Sequence, residues 1–173
     1  MTADNSVSSA PLAASPAADS AGSALLAANP AQLVVDGVRT CLSLAATWHA
    51  WDGRPLARTN EGRPNTWTPH KALRRITDHL HEVEALLAGA EAVPDQWHGR
   101  SVTLDADWAR FTESDFDEAQ SRLRRLARCY LLRYSSAGLA AWDSARGDSW
   151  TLRTIAEHVA EVSYYAEQVG RLA

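Results

Sequence analysis

Ile76-Thr77-Asp78-His79-Leu80-His81-Glu82-Val83 and Ile155-Ala156-Glu157-His158-Val159-Ala160-Glu161-Val162 follow one pattern: Ile, any residue, acid, His, aliphatic, any residue, Glu, Val. Each octet is preceded by a Trp-Thr pair, Trp67-Thr68 and Trp150-Thr151. In both, the apolar positions recur at helical spacing, which predicts two helices descended from one internal duplication. Each of these helices carries a histidine at the edge of its buried face.

Working outward, the helix around the first octet starts at Thr68 as N-cap with Pro69 in the first helical position, where proline loses no hydrogen bond. Leu73, Ile76, Leu80, Val83 and Leu87 form its stripe, and Gly89 with Pro94 closes it. The helix around the second octet runs from Thr151 to Leu172 and buries Leu152, Ile155, Val159, Val162, Ala166 and Val169. Upstream, Val34, Val38, Cys41, Ala45 and Trp48 line one face of a helix over 31–50. Between the octets, Ser114 with Asp117 reads as a capping box opening a helix to Ser136, striped by Phe116, Ala119, Leu123, Leu126, Tyr130 and Tyr134.

Four amphipathic helices without a convincing strand predict an all-α four-helix bundle over residues 31–173. The polar, Pro- and Gly-bearing stretch Arg54–Asn65 reads as loop, and 95–112 as irregular with a brief extended segment. These long first-to-second and second-to-third connections are candidate lids or crossovers. Residues 1–30, rich in Ala, Ser and Pro and lacking apolar periodicity, read as a disordered leader.

Composition narrows the function. A chain of 173 residues with 46% apolar content is one domain with a sizeable core. Net charge of −4, with no phosphate-binding motif, argues against nucleic acid, and the arginines of 122–133 read as a solvated face. No apolar run can span a bilayer, and no lysine or arginine precedes Arg39 as an export signal requires, so a soluble cytoplasmic protein is expected. Cys41 and Cys129, each inside a helix among apolar neighbours, read as buried free thiols rather than a disulfide.

Advancing about 100° per residue, His79 and His158 fall roughly 65–70° from the centres of their stripes, with Thr154 and Tyr165 on the flank of His158. His49 holds a similar border position beside Trp48, with Trp51 close by. His81, Glu82 and Glu161 fall roughly 120–130° away and read as surface residues. Border positions line the cavities between helices where bundles build ligand sites. A lone border histidine such as His49 is more often a hydrogen-bonded structural residue, and the paired octets are also what a duplication leaves behind through packing symmetry. Metal is a further reading, yet His158 has Thr154 and Val162 where a ligand one helical turn away should stand.

Trp150-Thr151-Leu152-Arg153 through Tyr165, together with Ile76–Gly89, resembles the DinB-like superfamily, which includes the bacillithiol transferase-like proteins and mycothiol-dependent maleylpyruvate isomerase. The resemblance spans about 31–172 and implies a four-helix bundle with a long crossover and a ligand cavity. It further implies a divalent metal held by one histidine of the second helix and a His-xxx-His or Glu-xxx-His pair of the last. His79 matches the first ligand and His158 one member of the pair, so His79 and His158 are the ligands if zinc, nickel or iron is bound. Dimerisation through a helical face is also an expectation of the family.

The preferred expectation is a metal-independent enzyme on a small organic molecule, with His79 and His158 as acid and base and Trp48, His49, Trp51, Thr154, Glu161 and Tyr165 shaping the substrate pocket. Isomerase, cyclase, lyase and hydrolase chemistry all fit, secondary metabolism would supply such substrates, and the aromatic content favours an aromatic or polyketide-like compound. The alternatives are a metal- and thiol-dependent transferase or isomerase, and a non-catalytic small-molecule binding or stress protein.

Overall fold

A computed structural model describes residues 29–60, 63–75, 79–97, 99, 102–145 and 147–173, without the side chains of 57–65. The leader, apart from Asn29 and Pro30, lies outside the described residues, as do Ile76, Thr77 and Asp78 of the first octet. Asn29 is buried, accepting the Ala31 N–H on its side-chain oxygen at 3.0 Å and donating to the Ser135 hydroxyl, so packing reaches into the stretch read as leader.

The chain is mostly helical. Helix α1 (Ala31–Ala45) ends in a 3₁₀ turn, Trp48–Ala50. Strands β1 (Leu56–Asn60) and β2 (Arg63–Trp67) pair antiparallel, with Leu56 opposite Trp67. Helix α2 (Pro69–Arg74) follows, then α3 (Leu80–Ala88), a second 3₁₀ turn (Asp105–Trp108), α4 (Glu113–Ala137), the short α5 (Leu139–Trp142), α6 (Leu152–Ala160) and α7 (Val162–Val169).

Helix α1 is the element around which the others gather, packing against α4, α6 and α7. Its stripe is buried as its spacing predicts: Val34, Val38, Cys41, Ala45 and Trp48 are all inaccessible. Gly37 permits the approach, since a Cβ there would lie 2.5 Å from the Ala160 carbonyl oxygen. Two apolar clusters result. One joins Val38, Trp48, Trp67, Phe111, Leu123 and Val162; the other joins Val34, Val83, Tyr130, Tyr134, Trp142 and Ile155. Tyr134 satisfies its buried hydroxyl on the Leu152 carbonyl at 2.6 Å, and burial raises its pKa far above the usual phenolic range.

Five expectations are corrected. The supposed loop Arg54–Asn65 contains most of a β-hairpin, and Pro64 is tolerated because a two-stranded sheet has only edge strands. The helix of the first octet is two pieces, α2 and α3, and His79 stands at the N-cap of α3 with φ −94° and ψ 14°. The helix of the second octet breaks at Glu161, whose N–H bonds back to His158 by a tight i−3 step, and stops at Val169. The capping box of α4 is Thr112 with Asp115, not Ser114 with Asp117: Thr112 Oγ1 accepts the Asp115 N–H and Asp115 accepts the Thr112 N–H. Cys129 is also corrected, being exposed, whereas Cys41 is buried; both are free.

The 95–112 connection is tied down on α2. Arg74 donates to Asp107 through Nε at 2.9 Å, to the Val102 carbonyl at 2.7 Å and to the Gly99 carbonyl, while the Trp97 ring lies against its guanidinium. Lys71 Nζ donates to Thr66 O and Thr103 Oγ1 at 2.6 and 2.9 Å. Burial alone would raise the Asp107 carboxyl. Hydrogen bonds from Arg74 and the Leu104 N–H, with the charges of Arg74 and Lys71, outweigh it and hold the group below the usual carboxylate range.

Candidate functional site

Helix packing brings the two octet histidines together. The rings of His79 and His158 meet edge to face with centroids 5.1 Å apart, and Trp150 closes over both, 6.1 Å from His79 and 5.0 Å from His158. His79 is delivered by the turn that opens α3, where its N–H donates to the Tyr130 hydroxyl at 3.1 Å. His158 is delivered by the last turn of α6, just before the break at Glu161. Arg75, Val159, Val162 and Tyr165 complete the cleft. Arg75 lies over the Tyr165 ring at 5.2 Å, which holds a positive charge at the cleft wall.

Each imidazole is oriented by a glutamate three residues later. His79 Nδ1 lies 2.9 Å from Glu82 Oε2 and His158 Nδ1 lies 3.1 Å from Glu161 Oε2. An ionised carboxylate only accepts, so in both dyads Nδ1–H is the donor and Nε2 is left as the working nitrogen. His79 Nε2 is buried with no hydrogen-bond partner among the described residues. A buried acceptor without a partner is costly and calls for a ligand, a water or a proton to satisfy it. The cleft has a volume of about 10 Å³, room for about one water molecule or a single reacting group.

Of the residues expected at the site, His79, His158, Glu161 and Tyr165 are gathered here. Thr154 is instead a capping partner, its hydroxyl 3.0 Å from that of Thr151. Trp48 is fully buried, donating to the Gly170 carbonyl at 2.8 Å and packing on Phe111. Trp51 is buried and donates to the Arg54 carbonyl, and His49 is exposed on the 3₁₀ turn. None of these three lines the cleft.

Arg75 lines the cleft, and Glu82 and Trp150 stand against its histidines, though none of the three is among the residues expected at the site. The signal for Glu82 was present: both octets preserve His-x-x-Glu, and residues three apart on a helix are neighbours. The wheel assigns a direction to Cβ, whereas a glutamate carboxylate reaches back over the preceding turn.

A carboxylate-fixed imidazole also orients histidines that ligate metals. Zinc sites take three or four protein ligands. Among the described residues no group of three or more His, Cys, Asp or Glu is placed to hold an ion. No described helix is long and apolar enough to cross a membrane. Comparison with protein-family models, curated proteins and solved structures finds no match.

Proposed function

We propose that this protein is a metal-independent enzyme of the DinB-like four-helix-bundle type that moves a proton on a small organic molecule, with the Glu82–His79 and Glu161–His158 dyads as base and acid. The buried, unpartnered Nε2 of His79 beside a second imidazole carries this reading. In it, His79 Nε2 takes a proton from the substrate while Glu82 holds the ring's tautomer and stabilises the imidazolium that forms. His158, protonated at Nε2 in that state, returns a proton at a neighbouring atom. The Arg75 guanidinium offsets negative charge developing on a substrate oxygen. Such a relay serves isomerisation, cyclisation, elimination or hydrolysis. A cleft with room for one small group admits the reacting end of a substrate and leaves its body against Trp150 and Tyr165, of which Trp150 is exposed.

Hydrogen–deuterium exchange at carbon tests this without knowledge of the product. Aliphatic and aromatic carbonyl compounds incubated with the protein in D₂O should exchange protons α to the carbonyl, read by NMR. His79→Gln and His158→Gln should each slow that exchange by about 10²–10⁴-fold while thermal unfolding stays close to that of the parent. Unchanged exchange in both variants would remove the proton relay. Stoichiometric zinc, nickel or iron in protein purified without chelators would favour the metal-dependent alternative instead.

A further inference from the structure

A second concavity, larger than the histidine cleft, is a groove of about 570 Å³ between α1 and α4, within the range of small-molecule sites. Val38, Leu42 and Ala127 form a buried floor, and the half-buried Val35, Phe116 and Leu131 form its walls. From Phe116 to Leu131 the groove follows one face of α4 for about 22 Å at the helical rise per residue.

Its rim is cationic. Arg39 stands on α1, and Arg124 and Arg128 stand on α4 one turn apart. Between Ser121 and Ser136 the chain has no acidic residue, although its net charge is −4. Of the neighbouring arginines, Arg122 pairs with Glu118, Arg133 pairs with Glu84, and Arg125 bonds the Ser121 carbonyl. Arg124 and Arg128 make no ion pair or hydrogen bond with the described residues. Like charges at i and i+4 repel along a helix, so an anion between them removes a penalty as well as adding contacts. Arg39 pairs with Asp36 and also lines the groove.

We infer that this groove binds a long-chain carboxylate, its aliphatic body laid along the Val38–Leu42–Ala127 floor and its head group held by Arg124 and Arg128. Planar guanidinium forks match a carboxylate in two-point contact. The groove's volume suits a single chain-like molecule, and its single-sign rim selects the charge. This site is separate from the histidine cleft and does not depend on what that cleft does.

The test uses the full chain and dodecanoate, followed by calorimetry and by amide shifts in ¹H–¹⁵N spectra. Dodecanoate should bind one per chain, with shift changes concentrated in 35–43 and 116–131. Acetate should not bind measurably. Dodecyltrimethylammonium, with the same tail and opposite charge, should bind more weakly by about tenfold or more. Arg124→Gln with Arg128→Gln should weaken dodecanoate by about tenfold while leaving the melting temperature unchanged, because both residues are exposed. Equal binding of the cationic amphiphile, shifts centred on Trp150 and His158, or no binding at all would overturn the assignment. So would a dimer, seen in sedimentation, that dodecanoate fails to dissociate, since the groove's occupant would then be a second copy of the chain.

Discussion

His79 and His158 face each other edge to plane at 5.1 Å, with ring planes 75° apart, and each gives its Nδ1–H to the glutamate three residues on. The two dyads are alike in connectivity and unlike in exposure. The Glu82 side chain is 27% accessible and that of Glu161 60%. Water screens the second pair more than the first.

Glu82→Ala is therefore expected to disturb its histidine more than Glu161→Ala does. Nitrogen-15 shifts of the imidazoles should show His79 as the Nδ1–H tautomer in the parent and a mixture of tautomers in Glu82→Ala. Glu161→Ala should leave His158 nearer its parent spectrum. In the deuterium-exchange assay the Glu82 variant should lose about 10–100-fold, by analogy with the removal of an orienting carboxylate elsewhere.

Asp107→Asn should destabilise the fold by about 3 kcal/mol, because it leaves the largely buried Arg74 guanidinium without its counter-charge. The dependence on pH has a definite sign. The folded-state carboxyl is depressed below its ordinary range, so its contribution is complete above the unfolded value and is lost as pH falls through the folded one. Urea unfolding of parent and variant should thus differ fully at neutral pH and converge below about pH 4.

Gly37→Ala sets two effects against each other. Alanine is the better helix former by about 1 kcal/mol. The new methyl, however, would sit 2.5 Å from the Ala160 carbonyl oxygen, a backbone atom that cannot swing aside. Forcing α1 away from α6 costs about 1–3 kcal/mol, so the variant should melt lower than the parent, and thermal denaturation checks it.

Cys41 and Cys129 should separate cleanly toward a thiol reagent. Burial pushes the Cys41 thiol up to about 12, leaving almost no thiolate at neutral or mildly alkaline pH, whereas Cys129 is exposed. Ellman's reagent should titrate one thiol in the folded protein and the second only in denaturant. Two rapidly reacting thiols in native buffer would contradict the burial of α1's inner face.

The local rules of helix formation were readable from particular residues. Thr68 and Pro69 open α2, Gly89 ends α3 in a left-handed conformation, and the stripes Val34–Trp48 and Leu152–Val169 are buried wherever periodicity placed them. These signals are local because caps and 3.6-residue spacing depend on neighbours within a turn or two. The hairpin 56–67 escaped because its strands lack apolar alternation and contain Pro64.

By itself, the sequence determined that this chain is helical, which faces are inward, and that two octets each hold a histidine near the core. Only the tertiary structure decided that those histidines meet, because their separation depends on how α3 and α6 are set against the rest of the molecule. It also decided that the helices break at His79 and Glu161, that Glu82 and Glu161 reach back to hold the rings, and that Trp48, His49 and Trp51 stand elsewhere. A helical wheel reports direction from one axis. Convergence of side chains is a relation between axes, set by packing contacts such as Gly37 on Ala160 that no local pattern contains.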